Sequence, residues 1–136
     1  MGVGAVILDA GRVVLVKRAH EPLKGEWSLP GGAVDVGEPL AAAVAREVRE
    51  ETCLVVKVGS VVEVVDRVTR DDGGRVIYHF VIVDYLCRVI GGRLAAASDA
   101  EAVEWVAIED LDRFGVAATA VRVIKKAQSM LGCFGT

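Results

Sequence analysis

The sequence predicts an α/β fold in which a mixed sheet lies between helices. Strand-like and helix-like segments interleave in an irregular order, which is typical of this class. Hydrophobic residues make up 53% of the chain and aromatic residues 5%, so valine and alanine carry the apolar content. This composition favours a valine-rich sheet packed against alanine-rich helices. A chain of 136 residues can form one good core, so we expect a single domain over residues 1–136.

The predicted strands are short at both ends of the chain and long in the middle. Gly59, inside the first long strand, predicts a bulge or a break. The run Asp71–Gly74 is the strongest hairpin turn signal. The second long strand is apolar enough that we expect burial on both faces. The predicted strands are Val3–Leu8, Val13–Lys17, Trp27–Leu29, Val55–Val68, Val76–Val89 and Ala102–Ala107.

Three segments are predicted to be helical. The first is Leu40–Thr52, since Pro39 suits the start of a helix and Glu38 suits the positive end of its dipole. Glu109–Phe114 predicts one helical turn, and Ala117–Leu131 predicts a second full helix.

Charge and cysteine content narrow the function classes. A net charge of −3 disfavours a nucleic-acid polymer or an anionic membrane as partner. The cysteines Cys53, Cys87 and Cys133 follow no CxxC spacing, which disfavours a disulfide framework and a zinc site. The sequence shows no signal peptide and no bilayer-spanning apolar run, and we expect a cytoplasmic location. The first glycine pair does not match GxGxxG, which argues against a Rossmann domain.

The first full helix carries three glutamates, Glu47, Glu50 and Glu51, on one face. They lie at i, i+3 and i+4, and at about 100° per residue these positions are neighbours. Like charges at this spacing destabilise a helix unless something neutralises them. A divalent cation with oxygen ligands is the simplest neutraliser, and phosphate chemistry uses such cations.

These acids continue an apolar stripe. With Leu40 at zero and Val44 at about 40°, Glu47 lies at about 340° and Glu51 at about 20°. Glu50 lies beside the stripe at about 280°. Because a buried unpaired carboxylate is costly, acids that point inward need a partner. The alternative is a solvated helix end with surface ion pairs, which the register disfavours.

A fixed spacing links the glutamates to residues before and after them: Gly32, Glu38, Arg46, Glu47, Val48, Glu50, Glu51 and Leu54. These positions resemble the Nudix box, G-x5-E-x7-R-E-U-x-E-E-x-G-U, where U is a bulky aliphatic residue. Six fixed positions match by chance with a probability on the order of 10⁻⁵. The W-S-L-P-G-G lead-in before the box, the late strand with Trp105 and the closing helix also look like the family.

The resemblance implies a Nudix-type α/β/α sandwich that hydrolyses a nucleoside diphosphate linked to another group, using Mg²⁺ or Mn²⁺. It makes Glu47 and Glu51 the main metal ligands, and Glu50 a further ligand or the residue that positions the water. A backbone carbonyl at Gly31 or Gly32 could complete the coordination. The metal would neutralise pyrophosphate oxygens and activate the attacking water.

Two further roles follow from the resemblance, together with one departure from it. Glu38 and Arg46 are implied to pair and to hold the loop against the helix. Cys53 stands where the family has its second glycine. A residue just after a helix often takes a left-handed conformation, which costs cysteine about 1 kcal/mol. Because the acids precede Cys53, we expect the site to be retained.

The general base is left open between the box glutamates and an acid of the predicted loop Leu94–Glu101. The segment Ser98–Glu101 of that loop is the natural source because it precedes the Trp105 strand, and within it Asp99 is favoured over Glu101. The alternative is that both are solvent-exposed loop acids.

Two substrate classes stay open. Lys17–His20 and the Arg67–Arg75 hairpin look like the small ADP-ribose-type members, which favours ADP-ribose or a nucleotide sugar. The alternative is a nucleoside triphosphate, including an oxidised one, as in the MutT type. Candidate substrate contacts, weighed against ordinary surface charge and core packing, are Arg18, Arg67 and Arg70 for phosphate and Trp27, Tyr78 or Phe80 for base stacking.

Other classes are less favoured. A Nudix fold that only binds nucleotides has no need of three aligned glutamates. An enzyme like isopentenyl-diphosphate isomerase requires further His and Cys positions, which the pattern does not show. The apolar excess and the valine-rich first hairpin favour a homodimer.

Overall fold

A computed structural model describes residues 1–20, 24–97 and 100–133, without the side chains of residues 132 and 133. It confirms the mixed α/β class. The strands are β1 Gly2–Asp9, β2 Arg12–Arg18, β3 Trp27–Ser28, β4 Gly31–Ala33, β5 Leu54–Arg70, β6 Val76–Gly92 and β7 Ala100–Ala107. The helices are α1 Leu40–Thr52, a 3₁₀ helix Ile108–Phe114 and α2 Ala118–Cys133. Within the described residues, no helix is both long and apolar enough to cross a membrane.

β1 lies at the centre of the sheet and connects its two wings. It pairs in parallel with β6 and antiparallel with β4. The predicted opening hairpin forms, but β1 and β2 pair only near the turn, at Leu8 with Val13 and Asp9 with Arg12. β2 then pairs with β3 and β7. Pairing of Ala100 with Arg18 starts β7 two residues before the predicted strand, so the end of the predicted loop is wrong.

The side chains of β1 alternate between two cores, as in any strand. Val3 and Ala5 pack with α1 in one cluster. Val6 packs with Val123 and other residues of α2 in the other cluster. The positions that precede Val6 on the α2 side are Gly4 and Gly2, which have no side chain. The sheet is therefore bare at this end of its α2 face.

β5 and β6 form a long hairpin closed by the predicted turn. Asp71 Oδ1 accepts hydrogen bonds from the backbone N–H groups of Gly73 and Arg75, both at 2.9 Å. The register shifts between Val58 and Val61, which confirms the bulge predicted at Gly59.

The predicted burial of the second long strand on both faces is wrong in its first half. Val76 and Ile77 are 50% and 55% exposed, and Val81 is 37% exposed. β1 pairs with β6 from Ile82 to Cys87, and the segment Val76–Val81 extends beyond that pairing. An apolar run indicates burial only where a second layer covers it, and that layer depends on distant strands.

Candidate active site

The glutamates of α1 point inward in the order that the register predicts. Val44 and Val48 pack in the core at 1% and 0% exposure. Glu51 is 8% exposed, while the side chains of Glu47 and Glu50 are 14% and 45% exposed. Of the two glutamates within the apolar stripe, Glu51 is buried and Glu47 is partly buried, whereas Glu50, beside the stripe, is exposed to solvent.

Arg46 lies at the centre of the acidic cluster. Its Nε and Nη2 donate to the two carboxylate oxygens of Glu38 at 2.7 and 2.9 Å, which confirms the implied pair. Its Nη1 donates to Glu47 Oε1 at 2.9 Å and to Glu50 Oε2 at 3.1 Å. Nη2 also donates to the carbonyl oxygen of Ala33 at 3.0 Å. One guanidinium therefore joins the loop, β4 and α1.

Hydrogen bonds keep both members of the loop–helix pair charged. The bond from Arg46 lowers the pKa of Glu38, and the backbone N–H of Asp35 lowers it further. The same carboxylate raises the pKa of Arg46 above its ordinary value. A bidentate pair of this kind fixes geometry as well as charge.

β4 brings two glycines against the carboxylates. The backbone N–H of Gly31 donates to Glu51 Oε1 at 2.7 Å. A Cβ added at Gly32 would lie 2.6 Å from the carboxylate of Glu47. A Cβ at Gly31 would collide with the carbonyl oxygen of Val3. The W-S-L-P-G-G lead-in thus ends in glycines because the glutamates and β1 approach its backbone closely.

The donor set suits a hard divalent cation, although its present arrangement is that of an ion-pair network. Three carboxylates and the nearby backbone of Gly32 offer the oxygen ligands that Mg²⁺ and Mn²⁺ prefer. In the part of the chain that the structure describes, no three acids, histidines or cysteines are grouped to hold an ion. Arg46 bonds to both Glu47 and Glu50 in this arrangement.

The loop proposed as a source of the general base runs past the end of α1. The backbone N–H of Ala97 donates to the carbonyl oxygen of Glu51 at 3.2 Å. Asp99 lies outside the described residues. Glu101 is in β7, and its half-exposed carboxylate forms an ion pair with Lys17 at 3.8 Å. A catalytic role for either acid stays a prediction.

Cys53 ends α1 in the left-handed conformation that its position predicts. Its φ is 64°, and its N–H donates to the carbonyl oxygen of Arg49 at 3.1 Å. Cys53 and Cys87 are free thiols, and burial raises the pKa of Cys87 to about 12. The side chain of Cys133 lies outside the described residues.

A cavity of about 460 Å³ opens on the α2 face of the sheet, at its bare end. Its floor includes Gly2 and Gly4 of β1, and its walls come from the β5–β6 hairpin, the first turn of α2 and the segment 26–33. Gly31 and Gly32 line this cavity and also contact the glutamates. The cavity and the acidic cluster therefore meet at β4.

Five of the six candidate substrate contacts line this cavity: Arg18, Trp27, Arg67, Tyr78 and Phe80. Trp27 also packs edge-on against Phe114, with 5.2 Å between the ring centroids. Arg70 lies elsewhere, at the hairpin turn, where its Nη1 donates to the carbonyl oxygen of Gly74 at 3.0 Å.

The aromatic pair on the hairpin is not part of a core. Tyr78 and Phe80 stack with 6.0 Å between centroids and 18° between planes. They are 50% and 44% exposed, and both line the cavity. Core packing, the alternative for these two residues, is excluded.

Sequence reasoning missed Asp84. This residue of β6 is 5% exposed and lines the cavity. Burial, together with the smaller effect of the charge of Glu63, raises the pKa of its carboxyl to about 6. The available signal was a single acid inside the apolar run of the second long strand.

Comparison with known proteins identifies a family whose sequences and folds match this chain. Residues 1–127 match the model of the NUDIX domain family. The chain is 39% identical over 113 residues to the ADP-ribose pyrophosphatase of Methanocaldococcus jannaschii. That alignment covers 83% of this chain and 64% of the relative, so the chain spans less than two thirds of the relative's length.

Two solved structures are similar to this chain over most of its length. The MutT NUDIX hydrolase of Burkholderia pseudomallei aligns with a TM-score of 0.79 and 32% identity, covering 92% of this chain and 95% of that one. The NUDIX domain of Shewanella oneidensis NrtR, solved with ADP ribose, aligns with a TM-score of 0.74 and 26% identity. That alignment covers 96% of this chain and 86% of the other. The box glutamates lie together on α1, and the matches to sequence and fold lead to one conclusion, that this chain belongs to the Nudix family.

Proposed function

We propose that this chain hydrolyses the pyrophosphate bond of a nucleoside diphosphate linked to another group, with ADP-ribose or a nucleotide sugar as substrate. The observation that carries the proposal is the contact at β4 between the cavity and the glutamates. A nucleoside held in the cavity would present its phosphates to the acids of α1. The names of the archaeal relative and of the NrtR complex support ADP-ribose over other diphosphates.

The cavity suits the nucleoside end of such a substrate. Its volume of about 460 Å³ lies within the usual range for small-molecule sites. The stacked rings of Tyr78 and Phe80 offer a flat apolar surface to a base, while Arg18 and Arg67 carry positive charge for phosphates. Arg70 stays a less favoured phosphate contact because it lies at the turn.

The acids would hold a divalent cation, Mg²⁺ or Mn²⁺, which Nudix hydrolases generally use. Its ligands would be Glu47, Glu50, Glu51 and the backbone of Gly32. When bound, such an ion neutralises phosphate oxygens and lowers the pKa of a coordinated water. The N–H of Gly31 orients Glu51, and the Arg46 network keeps α1 against the loop. The base is one of Glu50, Glu51, Asp99 and Glu101.

Hydrolysis of a nucleoside triphosphate by a MutT-type reaction is the second candidate. It is favoured by the name and the 32% identity of the Burkholderia structure. The same acids would act, and the difference would lie in which phosphate bond reaches them. A binding module without catalysis is the third and least favoured candidate.

Product analysis separates these candidates. With Mg²⁺ and ADP-ribose, we expect AMP and ribose 5-phosphate. A nucleoside triphosphate that gives the monophosphate and pyrophosphate would select the second candidate. An absence of turnover across a broad panel of diphosphates and triphosphates would select the binding module. Glu109→Gln, an exposed acid on the 3₁₀ helix, is the control for non-specific effects of removing a carboxylate.

The single domain over residues 1–136, the cytoplasmic location and the homodimer stay predictions. Size-exclusion chromatography with light scattering tests the dimer directly.

A further inference from the structure

We propose that Asp84 is a specificity-determining residue that accepts a hydrogen bond from the exocyclic amino group of a nucleobase. The inference rests on the proposed function in one respect, the assignment of the cavity to a nucleotide. It adds the class of base that the cavity selects, namely one with an amino group, such as adenine, over one with a carbonyl at that position.

The backbone makes room for this carboxylate at the floor of the cavity. Asp84 pairs in parallel with Gly4 of β1, and a Cβ at Gly4 would collide with Asp84 Oδ1. Gly4 and Gly2 both line the cavity. The missing side chain of Gly4 therefore leaves the space that the Asp84 side chain enters.

Asp84 stands in a row with the aromatic pair. Residues two apart on a strand share a face, so Tyr78, Phe80, Ile82 and Asp84 point to the same side. All four line the cavity. At about 3.3 Å per residue, Phe80 and Asp84 are about 13 Å apart along the strand. A ligand that covers Ile82 therefore lies between the Phe80 ring and the Asp84 carboxylate.

The described residues give the Asp84 carboxylate no hydrogen bond and no ion pair. Among the described residues, every fully shielded polar side-chain atom has a hydrogen-bond partner, so the unpaired oxygens of Asp84 keep a small opening, and Asp84 lines the cavity. Glu63, its partner on β5, has the same charge and is itself bonded to Arg122 and Lys126 at 3.1 and 3.4 Å. Folding alone gains nothing from a carboxylate buried in this way.

The chemistry of the site selects the class of ligand group. A carboxylate repels phosphate and carbonyl oxygens and accepts from N–H donors. The exocyclic amino group of a base is such a donor, and carboxylate side chains read amino groups of this kind in nucleic acids. Replacing the adenine amino group by the carbonyl of hypoxanthine sets two acceptors against each other. One mispaired polar contact of this kind costs about tenfold or more in affinity.

Calorimetric titration of the full chain with AMP and with IMP tests the proposal without turnover. We expect AMP to bind about tenfold tighter than IMP. Asp84→Asn should abolish or reverse this preference, because an amide can donate to the hypoxanthine carbonyl. Asp112→Asn, an exposed aspartate on the 3₁₀ helix, should keep the wild-type ratio.

An unchanged AMP-to-IMP ratio in a folded Asp84→Asn protein would overturn the inference. A loss of affinity for both nucleotides in equal measure would also overturn it, since it would place Asp84 against the sugar. If ADP-ribose is hydrolysed but the bases are not distinguished, the inference fails and the proposed function stands. If the bases are distinguished through Asp84 but ADP-ribose is not hydrolysed, the inference stands and the proposed function fails.

Discussion

The two halves of the candidate site treat their charges in opposite ways. On the α1 side, one guanidinium bonds to three carboxylates and the backbone of Gly31 bonds to a fourth. In the cavity, Asp84 is buried and the described part of the chain gives it no such partner, while two aromatic rings are half exposed. A saturated network fixes geometry, whereas unsatisfied and exposed groups leave interactions for a ligand. The contrast agrees with the proposal that α1 would perform the chemistry and that the cavity would choose the substrate.

Glu51→Gln should have the largest effect on activity. The glutamine oxygen can still accept from Gly31, so the fold should be kept, but a charged ligand is lost. We expect the rate of ADP-ribose hydrolysis to fall by about a hundredfold or more, measured by release of AMP. Thermal unfolding should match the wild type, and Glu109→Gln should retain full activity. Full activity in Glu51→Gln would remove this residue from the metal site.

Gly32→Ala tests the close approach of β4 to the acids. The new Cβ would lie 2.6 Å from the Glu47 carboxylate, so the carboxylate or β4 must move. Overpacking of this kind costs about 1–3 kcal/mol in the free energy of unfolding, and activity should fall by about tenfold or more because a displaced ligand misplaces the reacting groups. Gly73→Ala, in the hairpin turn, is the matched control. Equal activity in Gly32→Ala and Gly73→Ala would show that the close approach of β4 to Glu47 does not matter for the reaction.

Asp84→Asn should change stability in a pH-dependent way. Because the folded state raises this pKa from 3.8 to about 6, it binds the proton more tightly than the unfolded state. The protonated carboxyl therefore stabilises the fold below about pH 4, and this contribution is lost as the pH rises through 6. The free energy of unfolding of the Asn variant, relative to the wild type, should therefore be on the order of 2 kcal/mol more favourable at pH 8 than at pH 4. Urea unfolding at both pH values measures this, and a pH-independent difference would contradict it.

Cys53→Gly should have the smallest effect. The left-handed φ of 64° strains a cysteine, and glycine relieves that strain by about 1 kcal/mol. The midpoint of thermal unfolding should rise by a few degrees, while activity stays the same. Cys53→Ala keeps the strained backbone and should show no such gain. A gain in the alanine variant would place the effect in the thiol instead.

The α1 half of the site could be predicted from sequence because its information is local. The bounds Leu40–Thr52 and the orientation of Glu47 and Glu51 follow from local spacing, and the Glu38–Arg46 pair was implied by the resemblance to the Nudix box. The resemblance to the Nudix box supplied the chemistry that periodicity alone left open.

The cavity half could not be predicted, because it depends on contacts between distant segments. Asp84 meets Gly4 through a parallel pairing across most of the chain. The exposure of Val76–Val81 depends on where β1 stops pairing with β6. The hairpin turn takes Arg70 away from Arg67, although the two are close in sequence. An acid inside an apolar strand, such as Asp84, can be recognised in the sequence as unusual, but the sequence does not show which residues face it.

Steady-state kinetics with ADP-ribose and Mg²⁺, comparing Glu51→Gln with Phe80→Ala, test the division of roles most directly. We expect Glu51→Gln to lower kcat with little change in KM. Phe80→Ala should raise KM by about tenfold and leave kcat nearly unchanged, since a stacked base contributes about 1–3 kcal/mol to binding. The opposite result is an equal loss of kcat in both variants with KM unchanged in both. That result would contradict the division between chemistry on α1 and substrate binding in the cavity.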